Sequence, residues 1–227
     1  MPDVSTGDSL SRSVEDYLKV IYQIAQGRDA AQTMAIAEQL GVAPPSVSGM
    51  VKRLAEDGWL EHVPYKGVKL TEKGLRQALK MVRRHRVLET YLIDKLGYSW
   101  DDVHDEAELL EHAVTDRLIE KMAHALGHPT HDPHGAPIPT AEGDVEEEEY
   151  VPMSEFEVST NGELRRVEDA DAERLRFLDT LGLRPGTKFR VLSKQPFEGP
   201  LTVRIEDDRE EVVGYRLASS LRCTPLP

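Results

Sequence analysis

Cysteine is nearly absent from the chain, since Cys223 is the single one among 227 residues. An internal disulfide needs two cysteines, and a zinc ribbon or an iron–sulfur centre needs several. Such sites are therefore excluded, and Cys223 is expected to be a small packed residue rather than a redox sensor. A metal bound to this chain must be held by histidine and carboxylate side chains.

Basic residues are also scarce. Lysine and arginine number 28 against 41 aspartates and glutamates, so the formal net charge is -13 at pH 7. This balance argues against a protein that coats nucleic acid by bulk charge alone. Long apolar runs are missing too, because charges interrupt them every few residues, and the N-terminus does not resemble a signal peptide. We therefore expect a cytoplasmic protein that does not enter a membrane.

Hydrophobic periodicity predicts helices in the first third of the chain. An amphipathic helix begins near Ser13, and a short helix from Thr33 leads through a turn at Gly41 to a second helix over 45–57. Two strand-like pieces around the turn at 64–67 then predict a hairpin. This order of elements predicts a winged helix-turn-helix.

The middle of the chain carries the longest helical pattern, over 71–97, and a further helical pattern over 105–126. Two long helices that follow a small DNA-binding unit commonly make a dimer interface. Residues 128–139 and 142–157 are rich in His, Pro and Gly or in acid, so we predict a solvated linker there. Beyond it the pattern predicts a helix and three strands of a small β-barrel, over 172–181, 188–192, 201–206 and 212–217.

The helix-turn-helix pattern indicates DNA binding. Its second helix begins with Pro45, Ser46 and Ser48, where backbone N–H groups and hydroxyls can reach phosphates or base edges. The alternative is an ordinary helical hairpin in a core, and the predicted wing favours the DNA-binding interpretation. The residues that we predict to contact DNA are Thr33, Pro45, Ser46, Ser48, Lys52, Arg53, Tyr65, Lys66 and Lys69.

Histidines and acids recur at helical spacing in the middle zone. Glu108, Glu111 and His112 stand at i, i+3 and i+4, and the pair His85 and Glu89 stands at i and i+4. Such spacing places each set on one face of a helix, and His104 lies between the sets in sequence. The alternative is a solvated acidic face. Imidazole with carboxylate favours Mn(II) or Fe(II), although zinc, cobalt, nickel and cadmium are expected to bind in vitro.

Five motifs in this order resemble those of the diphtheria toxin repressor and manganese transport regulator family of metal-dependent repressors. They are Glu15-Asp16-Tyr17-Leu18, Pro45-Ser46-Val47-Ser48, Tyr65-Lys66-Gly67-Val68-Lys69-Leu70-Thr71, Arg84-His85-Arg86-Val87-Leu88-Glu89 and Val103-His104-Asp105-Glu106-Ala107-Glu108-Leu109-Leu110-Glu111-His112. The resemblance covers nearly the whole chain. It implies a homodimer on a partly palindromic double-stranded DNA operator, with a divalent metal as co-repressor and no organic substrate.

The resemblance also implies metal ligands. Two sets match the family, a regulatory set of Asp16, Glu108, Glu111 and His112 and an ancillary set of His85, Glu89 and His104. Candidates for further ancillary ligands from the C-terminal domain are Glu168, Asp169 and Asp171. Asp16 and Glu108 replace the Met and Cys of iron-type members, so the chain resembles the manganese type. Lys19 stands where short manganese regulators have another acid, which argues against a dinuclear centre like theirs.

The predicted fold class is mainly α with a small β part. We predict a winged helix-turn-helix DNA-binding domain over 1–73, a helical dimerisation and metal-binding domain over 74–140, an acidic linker over 141–157 and an SH3-like (FeoA-like) domain over 158–227. Two alternative functions stay open, a carboxylate- and histidine-based di-metal enzyme and a metal-independent winged-helix transcription factor. A run of histidines at 124, 128, 131 and 134 resembles a metal-binding tail, but its Gly and Pro turns favour an ordinary loop.

Overall fold

The computed structural model describes residues 10–26, 28–146, 149–168, 171–205 and 208–227. The chain forms two compact units, Met1–Arg84 with Pro139–Asp144 and His85–Ile138 with Val145–Pro227. Within the described ranges, no helix is both long and apolar enough to cross a membrane.

The first unit contains the predicted winged helix-turn-helix, which is confirmed. Its elements are α1 (Arg12–Ala25), α2 (Thr33–Leu40), α3 (Pro44–Glu56), β1 (Leu60–Val63), β2 (Gly67–Leu70) and the first half of α4 (Glu72–Leu96). Gly41 ends α2 in the left-handed conformation with φ of 64°, and its N–H points to the carbonyls of Ala37 and Glu38. Pro44 can begin α3 because the first helical N–H has no partner within the helix.

The wing is an antiparallel pair in which Leu60 faces Leu70, and Ala31 extends it by a bridge to Val68. At Gly67, φ is 122° and an added Cβ would lie 2.1 Å from the carbonyl oxygen of Ala31, so only glycine fits. Leu18, Ile21, Ile36, Val47, Leu54 and Val68 form the buried core of this unit.

The second unit begins with the second half of α4, followed by α5 (Val103–Leu110) and α6 (Asp116–Ala125). The single helix predicted over 105–126 is therefore wrong. Thr115 has an extended backbone, and its hydroxyl accepts the N–H of Leu118, so a new helix is capped where one continuous helix was expected. Val87, Leu88, Ala107, Ile119 and Ala123 pack in the core between these helices.

The rest of the second unit is a sheet of six antiparallel strands in the order β3-β8-β4-β5-β6-β7. Its elements are β3 (Val151–Pro152), β4 (Asn161–Arg166), α7 (Ala172–Thr180), β5 (Lys188–Lys194), β6 (Leu201–Arg204), β7 (Glu210–Val213), α8 (Tyr215–Ala218) and β8 (Arg222–Leu226). The strand predicted over 212–217 is wrong beyond Val213, because the chain turns there into the short helix α8.

The predicted solvated linker is also wrong in two parts. Val151–Pro152 pairs with β8, and Met153 and Phe156 are buried in the core of the sheet. In the segment 128–139, Ala136 is 3% exposed and His134 is fully buried. A few apolar residues among the prolines and acidic residues are enough to pack these segments into the core. The sequence did not predict this, because their spacing follows neither a helical nor a strand period.

Candidate metal centre and nucleic-acid interface

His85 on α4 contacts acidic side chains with both ring nitrogens. Its Nδ1 lies 2.7 Å from Glu111 Oε2, and its Nε2 lies 3.0 Å from Glu89 Oε1 and 3.2 Å from His104 Nδ1. Glu108 Oε1 lies 3.7 Å from His85 Nδ1. His85, Glu89, His104, Glu108 and Glu111 thus form one group of interacting side chains, called here the His85 cluster.

Helix geometry brings this cluster together. One turn of α4 separates His85 from Glu89, one turn of α5 separates His104 from Glu108, and Glu111 follows directly after the last residue of α5. The Glu89 and Glu111 side chains are both fully buried. Burial of carboxylates is costly unless they are paired, so the imidazoles around them are required for stability.

The electrostatics of the cluster keep Glu89 ionised. Burial by itself raises the pKa of Glu89, but the nearby charge of His85, hydrogen bonds from His104 and His85 and the neighbouring His134 ring hold that pKa well below its usual range. An ionised carboxylate among imidazoles is a strong ligand for a divalent cation.

Two groups of three ligand atoms lie within 4.8 Å of one another in the cluster: His85, Glu89 and His104, and His85, Glu108 and Glu111. The donors are imidazole nitrogens and carboxylate oxygens, several of them buried. This donor set fits a divalent cation such as Mn(II) or Fe(II), and His85 belongs to both groups.

The remaining predicted ligands differ in their surroundings. His112 is 9% exposed, with its Nε2 3.6 Å from Glu111 Oε1, and Asp16 lies half buried on α1 of the first unit. Glu168 and Asp171 are exposed and contact Arg174, and the side chain of Asp171 also caps α7. Neither belongs to a ligand group among the described residues, and Asp169 lies outside those residues.

Sequence reasoning assigned His134 to an ordinary loop, whereas the structure buries it fully beside the cluster. Its Nδ1 lies 3.8 Å from Glu89 Oε2, its Nε2 lies 2.9 Å from the carbonyl oxygen of Trp100, and its ring stacks on Trp100. Asp132 accepts the N–H groups of His134 and Ala136 at 2.9 Å each. This aspartate-centred turn was the available signal, because Asp commonly bonds backbone N–H groups two residues further along the chain.

Sequence reasoning also missed the ion pair between Arg86 and Asp132. Arg86 Nε lies 3.4 Å from Asp132 Oδ2, both side chains are nearly or fully buried, and Arg86 also donates to the carbonyl of Pro137. The turn that carries His134 is thereby fastened to α4, one residue after His85. A charge pair of this kind holds the turn in place beside Glu89.

Most residues predicted to contact DNA are exposed. Pro45, Ser46 and Ser48 lie in the first turns of α3, and Tyr65 stands at the tip of the wing, fully exposed with φ of 63°. Thr33 is half buried at the start of α2. The four predicted cations pair with acids: Lys52 with Glu56, Arg53 with Asp57, Lys66 with Asp29, and Lys69 with Glu61.

Three family models match the chain. Residues 9–68 match "Iron dependent repressor, N-terminal DNA binding domain", residues 71–140 match "Iron dependent repressor, metal binding and dimerisation domain", and residues 151–225 match "FeoA domain". A winged helix-turn-helix, a histidine and carboxylate cluster and a FeoA sheet together define a metal-responsive DNA-binding regulator.

Individual relatives agree with these models. The iron-dependent repressor IdeR of Mycobacterium tuberculosis is 35% identical over 132 residues, which are 58% of this chain and 57% of IdeR. The diphtheria toxin repressor of Corynebacterium efficiens is 29% identical over 193 residues, 81% of this chain and 84% of the relative. The chain thus spans only about half the length of IdeR.

A solved manganese-dependent transcriptional repressor in complex with manganese is 40% identical, with a TM-score of 0.87, over 94% of this chain and 100% of that one. ScaR has been solved with bound Cd²⁺, at 30% identity and a TM-score of 0.81, over 94% of this chain and 99% of ScaR. The chain therefore belongs to the metal-dependent transcriptional repressor family that includes IdeR, the diphtheria toxin repressor and MntR. That family is made up of repressors and not of enzymes, which argues against the di-metal enzyme alternative.

Proposed function

We propose that this chain is a transcriptional repressor of metal-uptake genes that binds DNA in response to Mn(II) or Fe(II). The observation that carries the proposal is the His85 cluster, in which buried carboxylates and imidazoles converge within the second unit of a chain whose first unit is a winged helix-turn-helix. A homodimer would bind a partly palindromic double-stranded operator, because two identical recognition helices read two half-sites.

The metal ligands proposed are the regulatory set of Asp16, Glu108, Glu111 and His112 and the ancillary set of His85, Glu89 and His104. When bound, a divalent cation would neutralise the carboxylates and join the side chains that hold it. Manganese is favoured over iron because Asp16 and Glu108 offer hard oxygen donors at the positions where the iron-type members of the family have Met and Cys. Zinc, cobalt, nickel and cadmium are expected to bind in vitro.

The chain's own residues suggest how binding would be transmitted. Without a cation, Glu108 and Glu111 add negative charge next to each other, and like charges disfavour a fixed arrangement of the groups that carry them. With Asp16 on α1 in the same ligand set, neutralising these acids would restrain the helix that supports the recognition helix α3. DNA affinity would then rise with metal and, by linkage, metal affinity with DNA.

The DNA-contacting residues proposed are those of α2, α3 and the wing. Ser46, Ser48 and Pro45 offer few bidentate base contacts, so DNA shape and contact with thymine methyl groups are expected to supply much of the specificity. Lys52, Arg53, Tyr65, Lys66, Lys69 and Thr33 would position the unit on the phosphates. We also propose a cytoplasmic location and the domain boundaries 1–73 and 74–140, supported by the DNA-binding role and the family models. The C-terminal domain, expected over 158–227, also includes the segment 151–156, because that segment packs with the sheet and the FeoA model begins at residue 151.

A mobility-shift titration with operator DNA tests the function. The full chain is expected to bind with Mn(II) and to lose that binding when a chelator is added. Glu108→Ala and His112→Ala should each weaken manganese-dependent binding at least about tenfold, since even the outer hydrogen-bond partners of metal ligands typically contribute 10–100-fold. Asp105→Ala, a matched loss of an exposed acid on α5, is the control and should bind as the parent does.

Equal DNA binding with chelator and with manganese would instead support the metal-independent transcription factor. Turnover of a substrate by the metal-loaded chain would support an enzyme, and unchanged manganese response in the Glu108→Ala and His112→Ala variants would contradict the proposed ligands.

A further inference from the structure

Two exposed histidines outside the His85 cluster face each other at the end of α6. His124 lies in the last turn of the helix, and His128 follows four residues later. His124 Nδ1 is 3.4 Å from His128 Nε2, and the ring centroids are 5.5 Å apart at an interplanar angle of 69°. Neither ring belongs to the ligand groups that form the proposed regulatory and ancillary sites.

The backbone around this pair is specialised. The helix ends with Gly127 N–H bonded to the carbonyl of His124 and His128 N–H bonded to the carbonyl of Ala123, at 3.0 and 2.8 Å. Gly127 and His128 both have positive φ, 76° and 58°. The left-handed conformation is unfavourable for a residue with a Cβ, yet here it turns the chain so that His128 returns to the side of His124.

The nitrogen separation matches a tetrahedral chelate. Two imidazole nitrogens bound to one zinc ion at about 2.0–2.1 Å with a tetrahedral angle lie roughly 3.3–3.4 Å apart. Right-angled ligands of an octahedral or square-planar ion at a similar bond length would lie only about 2.9 Å apart. The observed 3.4 Å between His124 Nδ1 and His128 Nε2, a distance at which the two rings can also share a hydrogen bond, is therefore compatible with a tetrahedral zinc chelate.

The local charge also favours a cation. The last carbonyls of a helix carry partial negative charge, and a positive ion near them is stabilised. The donors are imidazoles alone, unlike the mixed imidazole and carboxylate set of the His85 cluster. Zinc accepts such nitrogen donors readily, whereas manganese prefers oxygen, so the two places should select different ions.

We propose that His124 and His128 form a surface zinc site, in which His124 Nδ1 and His128 Nε2 bind one tetrahedral ion and water completes its coordination. Each ring keeps its proton on the other nitrogen, His124 Nε2 and His128 Nδ1. The site belongs to one chain and needs no other copy.

Zinc binding to the full chain, measured against a chromophoric competitor chelator, tests this site. The His124→Ala/His128→Ala double variant is expected to bind one zinc ion fewer per chain than the parent, with manganese binding and thermal stability unchanged. His62→Ala removes another exposed histidine, on β1, and should leave the zinc count as it is.

Cobalt(II) gives a second readout, because tetrahedral cobalt absorbs visible light far more strongly than octahedral cobalt. The double variant should lose part of that absorption and His62→Ala should not. An unchanged zinc count, unchanged cobalt bands, or zinc bound only when two chains associate in sedimentation would overturn the proposal.

Discussion

His85 Nδ1 lies 2.7 Å from Glu111 Oε2, so a residue of the proposed ancillary set is hydrogen-bonded to a residue of the proposed regulatory set. The opposite nitrogen of the same ring faces Glu89 at 3.0 Å. The family resemblance implies two separate sets of ligands, whereas the side chains of this protein form one connected group. Loss of a ligand from one set should therefore lower the metal affinity of the other set as well.

His85→Ala is expected to weaken manganese binding at both sets, by roughly tenfold or more, because outer partners of metal ligands typically contribute 10–100-fold. A calorimetric titration that counts sites per chain gives the measurement. His62→Ala serves as control. If only one class of site loses affinity in His85→Ala, the two sets are independent and the inferred coupling is wrong.

His134→Leu is expected to destabilise the fold by about 1–3 kcal/mol, because a buried carbonyl that loses its donor costs that much. The carbonyl concerned is that of Trp100, 2.9 Å from His134 Nε2. His134→Gln keeps a donor and should lose less. Thermal or urea unfolding of the metal-free chain measures both variants, and equal losses in the two would show that packing rather than this hydrogen bond dominates.

Gly135→Ala should destabilise the second unit strongly. Gly135 has φ of 84°, and a Cβ there would lie 1.8 Å from the carbonyl oxygen of Arg165. Gly186→Ala is a matched control, since φ is 94° but nothing lies within 4 Å of an added Cβ. The control should cost about 1 kcal/mol from backbone strain alone, and Gly135→Ala considerably more. Similar melting temperatures for the two variants would contradict the close contact.

Cys223 should be inert to alkylation in the folded protein at pH 8. Burial raises the pKa of its thiol to about 12 from an ordinary value of 9.0, although nearby Arg222 lowers it slightly. The reactive thiolate is therefore almost absent until the chain unfolds. Since the folded pKa is the higher one, this group contributes stability below pH 9.0 that is lost as pH rises towards 12. Rapid labelling of the folded chain at pH 8 would disprove the burial of Cys223.

Asp29→Asn/Glu61→Gln is expected to strengthen DNA binding several-fold at low salt. These acids pair with Lys66 and Lys69, and a lysine released from its acid can neutralise a phosphate instead. The slope of affinity against salt should become steeper by up to about two ions. Fluorescence anisotropy over a range of salt concentrations gives both quantities.

A control with the same change in charge is Glu72→Gln/Asp94→Asn, which breaks two ion pairs on α4. It should leave DNA affinity nearly unchanged. Equal gains in both double variants would assign the effect to net charge rather than to release of Lys66 and Lys69.

The first unit could be predicted closely from the sequence because its signals are local. Gly41 ends α2, Pro44 begins α3, and the wing alternates around a turn, so each boundary has its own chemical cause. The break between α5 and α6 was missed because apolar spacing continued through it. Thr115 followed by Asp116 was the available cap signal.

The candidate ligands at 85, 89, 108 and 111 were predicted from helical spacing and His104 from its position between them, and the structure brings these five side chains together. His134 could not be found in this way. Its neighbours Pro133 and Gly135 indicate a loop, and only long-range packing buries that loop against Trp100 and Arg165. The spacing of residues along a helix indicates which side chains lie on the same face of that helix. It carries no information on which distant loop packs against that face.

Strand β7 is the last strand of the six-stranded sheet, so one of its sides lacks a neighbouring strand among the described residues. Val212 on this strand is 60% exposed. The residue before it, Glu211, pairs with Arg209. Glu210 at the start of the strand pairs with Arg204. Charged side chains at an open edge discourage further strands from adding to it. The acids of β7 are therefore expected to disfavour edge-to-edge association between copies of the sheet.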